Sequence, residues 1–143
     1  MKTYFFYLLG LFSLKPKTRQ VVVHLRPGFD RRDELSTRIL DYLKDKDPTR
    51  VVFLCDWLEF GFRTGYSKQY GFPKENFHFS SDGHLDNVNL PTEFYQDDPI
   101  VEVMGYLYSP SGVRRCVNNA LFDLRLRGKE VKMLEDLVKV EGP

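Results

Sequence analysis

The chain has 143 residues, of which 42% are apolar and 15% aromatic. This composition predicts one domain of ordinary size with a packed core and excludes a disordered chain. Lys and Arg number 21 against 20 Asp and Glu, a formal net charge of +1. That balance argues against a free, non-specific nucleic-acid binder, but it allows a protein of a large assembly that touches RNA through one local patch.

Residues 1–19 are interpreted as an N-terminal leader. The apolar run from Tyr4 to Leu14 has eleven residues, fewer than the roughly 20 that a helix needs to cross a bilayer. No small-x-small cleavage site follows the run. We therefore expect a retained segment that packs on the domain or on a neighbour, and no transmembrane span.

A β-α-β unit follows the leader. Gln20 to Leu25 is dense in β-branched residues and predicts a strand, and the Pro27-Gly28 pair predicts a turn. Apolar residues at three- and four-residue spacing predict a helix over 33–45. The segment Arg50 to Trp57 predicts a second strand, parallel to the first and joined to it by a right-handed crossover.

Residues 58–98 show no clear period but contain nine Phe or Tyr residues. A structureless loop of this length is uncommon in a compact domain, so we expect it to be ordered by contact. The sequence predicts a long aromatic insertion that wraps the sheet and docks on a neighbouring protein, since aromatic anchors dominate interfaces. The alternative is that these side chains enlarge the core of the domain itself. The candidate docking residues are Phe60, Phe62, Tyr66, Tyr70, Phe72, Phe77 and Phe79.

The last part of the chain predicts a strand over 100–108, a hairpin turn at 109–112 and a return strand over 113–117. A helix is then predicted from Asn118 or Asn119, and Gly128 could end it. A helical period continues through the C-terminal extension, residues 129–143, as either the same helix or another. The whole chain, 1–143, is thus expected to form one small α/β (α+β) domain with a mixed four-stranded sheet and the order β-α-β-β-α.

The cysteines and one polar cluster are the residues that could indicate catalysis. Cys55 and Cys116 form no CxxC or zinc-type spacing, and both are predicted to be single buried thiols. A polar cluster of His78, Asp82, His84 and Asp86 could be drawn as a metal or acid–base site, but it lies in the least regular segment. We therefore expect a non-catalytic protein with no metal and no cofactor.

The element order resembles that of thioredoxin-like domains, although the start of the first predicted helix carries Arg26, Arg31 and Arg32 and no cysteine. Three stretches are similar to the small thioredoxin-like proteins of the mitochondrial ribosome's large subunit, family fifty-three: residues 14–17 (LKPK), 20–28 (QVVVHLRPG) and 34–40 (ELSTRIL). The segments 98–104 and 109–117 resemble that family's third strand, turn and return strand. The chain departs from the family in its longer 58–98 excursion and in having LRPG at 25–28, where the family has a Phe-x-Pro-Phe turn.

This resemblance implies a structural constituent of the large ribosomal subunit in the mitochondrial matrix, held by neighbouring ribosomal proteins with limited rRNA contact and binding no small-molecule substrate. An accessory subunit of a respiratory complex, of the thioredoxin-like type in complex I, is the alternative; Asp47-Pro48 is similar to a step in that family, whose Ser-rich turn is missing here. The candidate rRNA-binding residues are Lys15, Lys17, Arg19, Arg26, Arg31, Arg32, Arg114 and Arg115.

Overall fold

A computed structural model describes residues 17–25, 34–85, 88–90, 92, 94 and 99–142. Three single 3₁₀ turns separate some of the main elements, at Pro48–Arg50, Lys74–Asn76 and Ser81–Gly83. The main elements are β1 (Thr18–Val23), α1 (Leu35–Leu43), β2 (Val51–Cys55), α2 (Trp57–Gly61), α3 (Arg63–Tyr70), β3 (Phe77–Phe79), β4 (Ile100–Tyr108), α4 (Cys116–Leu126) and β5 (Glu130–Val140).

The strands form one five-stranded sheet in the order β3-β2-β1-β4-β5, and every neighbouring pair is parallel. The α/β class and the β1-α1-β2 unit are confirmed, but the mixed four-stranded sheet is a wrong prediction. The physical reason is the connection between β4 and β5. A parallel pair needs a crossover of a dozen or more residues, and α4 supplies one where a hairpin was expected. The thioredoxin-like arrangement is not confirmed by this topology.

Two local predictions near the C-terminus are also wrong. Residues 113–115 have no regular structure and lead into α4, which begins at Cys116, so no return strand forms over 113–117. Residues 130–140, expected to be helical, form β5, whose register on β4 starts with Glu130 opposite Ile100. The helix does end where Gly128 predicted, because α4 stops at Leu126.

The sheet is covered on both faces, as expected when parallel strands are joined by helices. On one face, Val22, Phe53 and Met104 pack against α1. On the other, residues such as Val21 and Leu54 pack against the buried side of α4. Burying each such side chain contributes about 1.5–3 kcal/mol, so these two layers hold the strands in place. Of the helices that the structure describes, none combines the length and the apolar character needed to cross a membrane.

The stretch 58–98 is largely built into this domain, because it supplies most of α2, all of α3 and the edge strand β3. Phe72 and Phe77 are buried against the ring of Phe53, at centroid distances of 5.1 and 4.4 Å. Phe60, Tyr66 and Tyr70 pack partly buried on the same face. Phe62 and Phe79 are 58% and 43% exposed. Phe72 and Phe77 therefore enlarge the core, as in the alternative prediction, and docking through the exposed residues stays a prediction.

Candidate active site

The carboxyl ends of all five strands lie at one edge of the sheet because the strands are parallel. Strand β1 is central, with β2 on one side and β4 on the other. The strand order therefore changes direction at β1, and such switch points form the crevice in which open α/β sheets bind ligands. His24 directly follows β1, Asp56 directly follows β2, and the loop after β4 leads to Cys116.

Glu59 is held at this edge by the start of α2. Asp56 is the N-cap, and its Oδ1 accepts a hydrogen bond from the Glu59 backbone N–H at 2.8 Å, while Glu59 Oε1 accepts from the Asp56 N–H at 2.9 Å. This reciprocal capping box satisfies two helix-terminal donors and fixes the carboxylate. The same Oε1 lies 2.9 Å from His24 Nδ1. Glu59 is thus a buried, pre-oriented partner for the imidazole.

His24 is buried and has a left-handed backbone conformation, with φ of 55°. Its N–H donates to the Leu54 carbonyl at 2.9 Å, so the residue still bridges β1 and β2. A non-glycine residue in this conformation is uncommon, and such strain concentrates at functional sites. In this conformation the imidazole lies within hydrogen-bond distance of Glu59, and the Cys116 thiol also acts on its pKa.

Burial by itself lowers the pKa of His24, but side-chain hydrogen bonds with Cys116 and Glu59, together with their negative charge, outweigh it and raise the pKa to about 9. The imidazole is therefore an imidazolium at neutral pH, and its Nδ1–H donates to Glu59. Because Nδ1 is engaged in this way, Nε2 is the ring nitrogen that remains for the sulfur. Glu59 and Cys116 thus act on the same imidazole, which is the order of groups that a relay from carboxylate to thiol requires.

Cys116 is half-buried and is the first residue of α4. This corrects the prediction of two buried thiols, which holds for Cys55 alone. Cysteine nucleophiles are characteristically placed at a helix N-terminus beside a histidine, because both stabilise a thiolate. The backbone N–H groups of Cys116 and Val117 donate to no residue that the structure describes, as expected in the first turn of a helix.

A small cavity with a volume of about 340 Å³ lies at the start of α4, where Cys116 forms part of its lining. We name it the thiol cavity; it is lined by Asp82, His84, Arg114, Arg115, Cys116 and Asn119. Its wall is the turn Ser81–Gly83, which lies directly on α4. A Cβ at Gly83, where φ is 75°, would come 2.1 Å from the Cys116 carbonyl oxygen, so only glycine fits. Asn119 Nδ2 also donates to the Asp82 carbonyl at 2.8 Å and fastens the wall to the helix.

Three residues of this site could also be considered as ligands of a metal ion. The ligand atoms of His24, Asp56 and Glu59 all lie within 4.8 Å of one another. However, Asp56 accepts a hydrogen bond from the Glu59 N–H, and Glu59 accepts one from the Asp56 N–H and another from His24. A bound cation would compete with these bonds. The arrangement therefore fits a hydrogen-bonded relay better than a coordination sphere.

The titration of His24 gives a direct check of this geometry. We expect its imidazole resonances in a two-dimensional nitrogen–proton spectrum to titrate with a midpoint near 9. In Glu59→Gln the midpoint should fall by at least about one pH unit, because burial still lowers the pKa while the carboxylate is gone. The pKa of His78 is lowered, chiefly by burial and then by Arg19, so it is a matched internal control. A His24 midpoint at or below 6.5 in the unmodified protein would contradict the relay.

The sequence-predicted site residues lie in different places. Lys15, Arg26, Arg31, Arg32 and Asp86 lie outside the described residues. Lys17 is exposed, whereas Arg19 is only 2% exposed and its guanidinium lies over the Phe94 ring. Arg114 and Arg115 share the thiol cavity with Asp82 and His84. Binding of rRNA stays a prediction for all of these basic residues.

No known protein family matches the chain, and none of the curated proteins is significantly similar to it. The resemblance to the family fifty-three ribosomal proteins therefore stays a prediction.

Sequence reasoning missed His24, Glu59 and Cys116 as a functional group. The sequence contained a signal for Glu59, since the pattern Asp56-x-x-Glu59 after a strand predicts a capping box. The signal for Cys116 was lost because 113–117 was interpreted as a strand, which hid the cysteine's position at a helix start.

Proposed function

We propose that this protein is a cysteine-dependent enzyme that hydrolyses or transfers an acyl group. The observation that carries the proposal is the position of His24, whose Nδ1 is hydrogen-bonded to Glu59 and whose pKa is raised by both Glu59 and the Cys116 thiol. Nucleophile, base and orienting acid in this order form the constellation that activates a thiol, whatever the fold. The proposal departs from the non-catalytic role expected from the sequence.

Each residue has a definite part in the reaction. The Cys116 sulfur, as thiolate, forms a bond to the acyl carbon, and the bond from that carbon to the leaving amine or alcohol breaks. The proton on His24 Nε2 passes to the leaving group. In hydrolysis, water then gives a proton back to Nε2 and attacks the thioester, and the carbon–sulfur bond breaks to release the acid and the thiolate. Glu59 positions the imidazole and stabilises its positive charge throughout.

The N-terminus of α4 provides the remaining element of acyl transfer. Negative charge develops on the carbonyl oxygen when the sulfur attacks, and backbone N–H groups aimed at that oxygen lower the barrier. The N–H groups of Cys116 and Val117 are suited to this part, because they donate to no described residue and stand beside the nucleophile. The positive end of the α4 dipole acts in the same direction.

The test uses 4-nitrophenyl acetate, which needs no knowledge of the natural substrate. We expect a burst of one nitrophenolate per chain and an acetyl adduct on Cys116 by mass spectrometry, both lost in Cys116→Ala. Cys55→Ala is the matched control and should keep the burst, since Cys55 is buried and burial raises the pKa of its thiol. Absence of a burst in the unmodified protein, or its persistence in Cys116→Ala, would overturn the proposal.

A structural role in an assembly is the second candidate, and one observation favours it. Trp57 is 80% exposed and Phe62 58% exposed, and the Trp57 ring meets the half-exposed Phe79 at a centroid distance of 5.9 Å. Exposed aromatic groups of this kind support docking on a partner. Membership of the mitochondrial large ribosomal subunit predicts that the native protein sediments with ribosomes. Membership of a respiratory complex predicts that it sediments with detergent-solubilised membrane protein instead.

A further inference from the structure

The thiol cavity contains two arginines whose surroundings differ. Arg115 Nη2 lies 2.6 Å from Glu141 Oε1, and its Nε donates to the same oxygen at 2.7 Å. Two guanidinium nitrogens therefore converge on one carboxylate oxygen in a charge-assisted contact. The positive charge of Arg115 is therefore already matched within the chain.

Arg114 has no such partner. Its Nε donates to Asn119 Oδ1, and its guanidinium carbon lies 4.8 Å from the centre of the Phe122 ring. Asn119 is in turn fixed by its own bond to the Asp82 carbonyl at 2.8 Å. Among the described residues no carboxylate forms an ion pair with Arg114. The side chain is thus held by two contacts, and it is exposed where it lines the cavity.

The carboxylates around the cavity do not neutralise the positive charge of Arg114. Asp123 is buried, accepts from the Leu85 N–H at 2.8 Å and lies 3.5 Å from His84 Nδ1. Asp82 is exposed on the opposing wall and pairs with no described cation. A ligand in the cavity therefore meets a positioned guanidinium on the side of α4 and an acid on the side of the turn.

We propose that the thiol cavity selects substrates with an anionic group next to the acyl carbon, and that Arg114 binds this group. The inference rests on the proposed function, because it assigns the substrate class of the same cysteine. Arginine suits this part because its planar donors match a carboxylate or phosphate at two points. Arg114 is a positioning and specificity residue, since the bond chemistry belongs to Cys116 and His24.

Iodoacetate and iodoacetamide distinguish anion binding by Arg114 from the reactivity of Cys116. They alkylate the same sulfur and differ in one negative charge. We define the preference as the ratio of their second-order rate constants for Cys116 at pH 7. We expect Arg114→Gln to lower the preference about tenfold and to leave the iodoacetamide rate within about twofold. Arg114→Lys should restore part of the preference, and Asp82→Asn should raise it.

Arg115→Gln is the matched control, because it removes the same charge one residue away but from an ion pair that Glu141 already completes. Its preference should stay within about twofold of the unmodified protein. An equal loss in both arginine variants would show an unspecific field effect and overturn the assignment to Arg114, as would an unchanged preference in Arg114→Gln. Failure of the proposed function has another signature: iodoacetamide would react no faster than with free cysteine.

Discussion

His24→Gln is expected to lower the rate constant for acylation of Cys116 by 4-nitrophenyl acetate about 10²–10⁴-fold at pH 7, the usual contribution of a positioned acid–base group. Glutamine has a similar size, and its amide can donate to Glu59, so the packing of the buried position is kept. What it lacks is an ionisable ring nitrogen beside the sulfur. The expected effect is therefore on the chemistry and not on the fold.

Two further variants make this result specific. In Glu59→Gln the rate should fall less than in His24→Gln, because Glu59 only positions the imidazole. In His24→Gly the left-handed backbone suits glycine, and added imidazole should restore part of the rate. Circular dichroism and the thermal midpoint of each variant serve as folding controls. A folded His24→Gln that is acylated within about threefold of the normal rate would contradict the catalytic role of His24.

Gly105→Ala is expected to have the largest effect on stability. Gly105 lies in β4 opposite Val23 of β1, the residue that precedes His24. Gly105 has a φ of 119°. An added Cβ would come 2.0 Å from the Val23 carbonyl oxygen and 2.8 Å from its nitrogen. Both contacts are with backbone that is paired in the sheet, so neither atom can move without separating β1 from β4. We expect a loss of more than about 4 kcal/mol in the free energy of unfolding, which is exceptional for one substitution.

Gly112→Ala is the matched control for Gly105→Ala. Gly112 also has a left-handed φ, of 87°, but nothing lies within 4 Å of the position of its Cβ. Its replacement should cost only the backbone strain, about 1–2 kcal/mol. Urea unfolding followed by far-ultraviolet circular dichroism measures both variants, and failure of Gly105→Ala to fold agrees with the expectation. A stability of Gly105→Ala within about 1 kcal/mol of the unmodified protein would contradict the close contact at β1 and β4.

The first half of the fold was predictable because its elements are regular. In α1 the apolar residues follow the helical period, and β1 and β2 are short apolar runs separated by that helix. Strand β5 was not predictable in the same way, since Val131, Leu134, Leu137 and Val138 have helical spacing. The register of β5 on β4 explains why the apolar spacing of this strand resembles that of a helix. Between the pairs Val103–Met133 and Gly105–Val138, β4 advances by two residues while β5 advances by five, so the two-residue alternation is broken.

The candidate site was not predictable for a different reason. His24, Glu59 and Cys116 follow three different strands, and each is ordinary in its local sequence. Only the strand order places the ends of β1, β2 and β4 side by side. Hydrophobic periodicity reports which side of an element is buried, and it carries no information on which strands become neighbours.

Joining a thiol, an imidazole and a carboxylate from three distant parts of the chain has a kinetic consequence. Parallel strands are joined through contacts between residues far apart in sequence, and such contacts form late and slowly during folding. The sulfur of Cys116 therefore gains its partners only when β1, β2 and β4 have all docked. A newly made or partly unfolded chain would carry an ordinary thiol. The rise of alkylation rate with time after dilution from urea would thus follow the assembly of the central sheet.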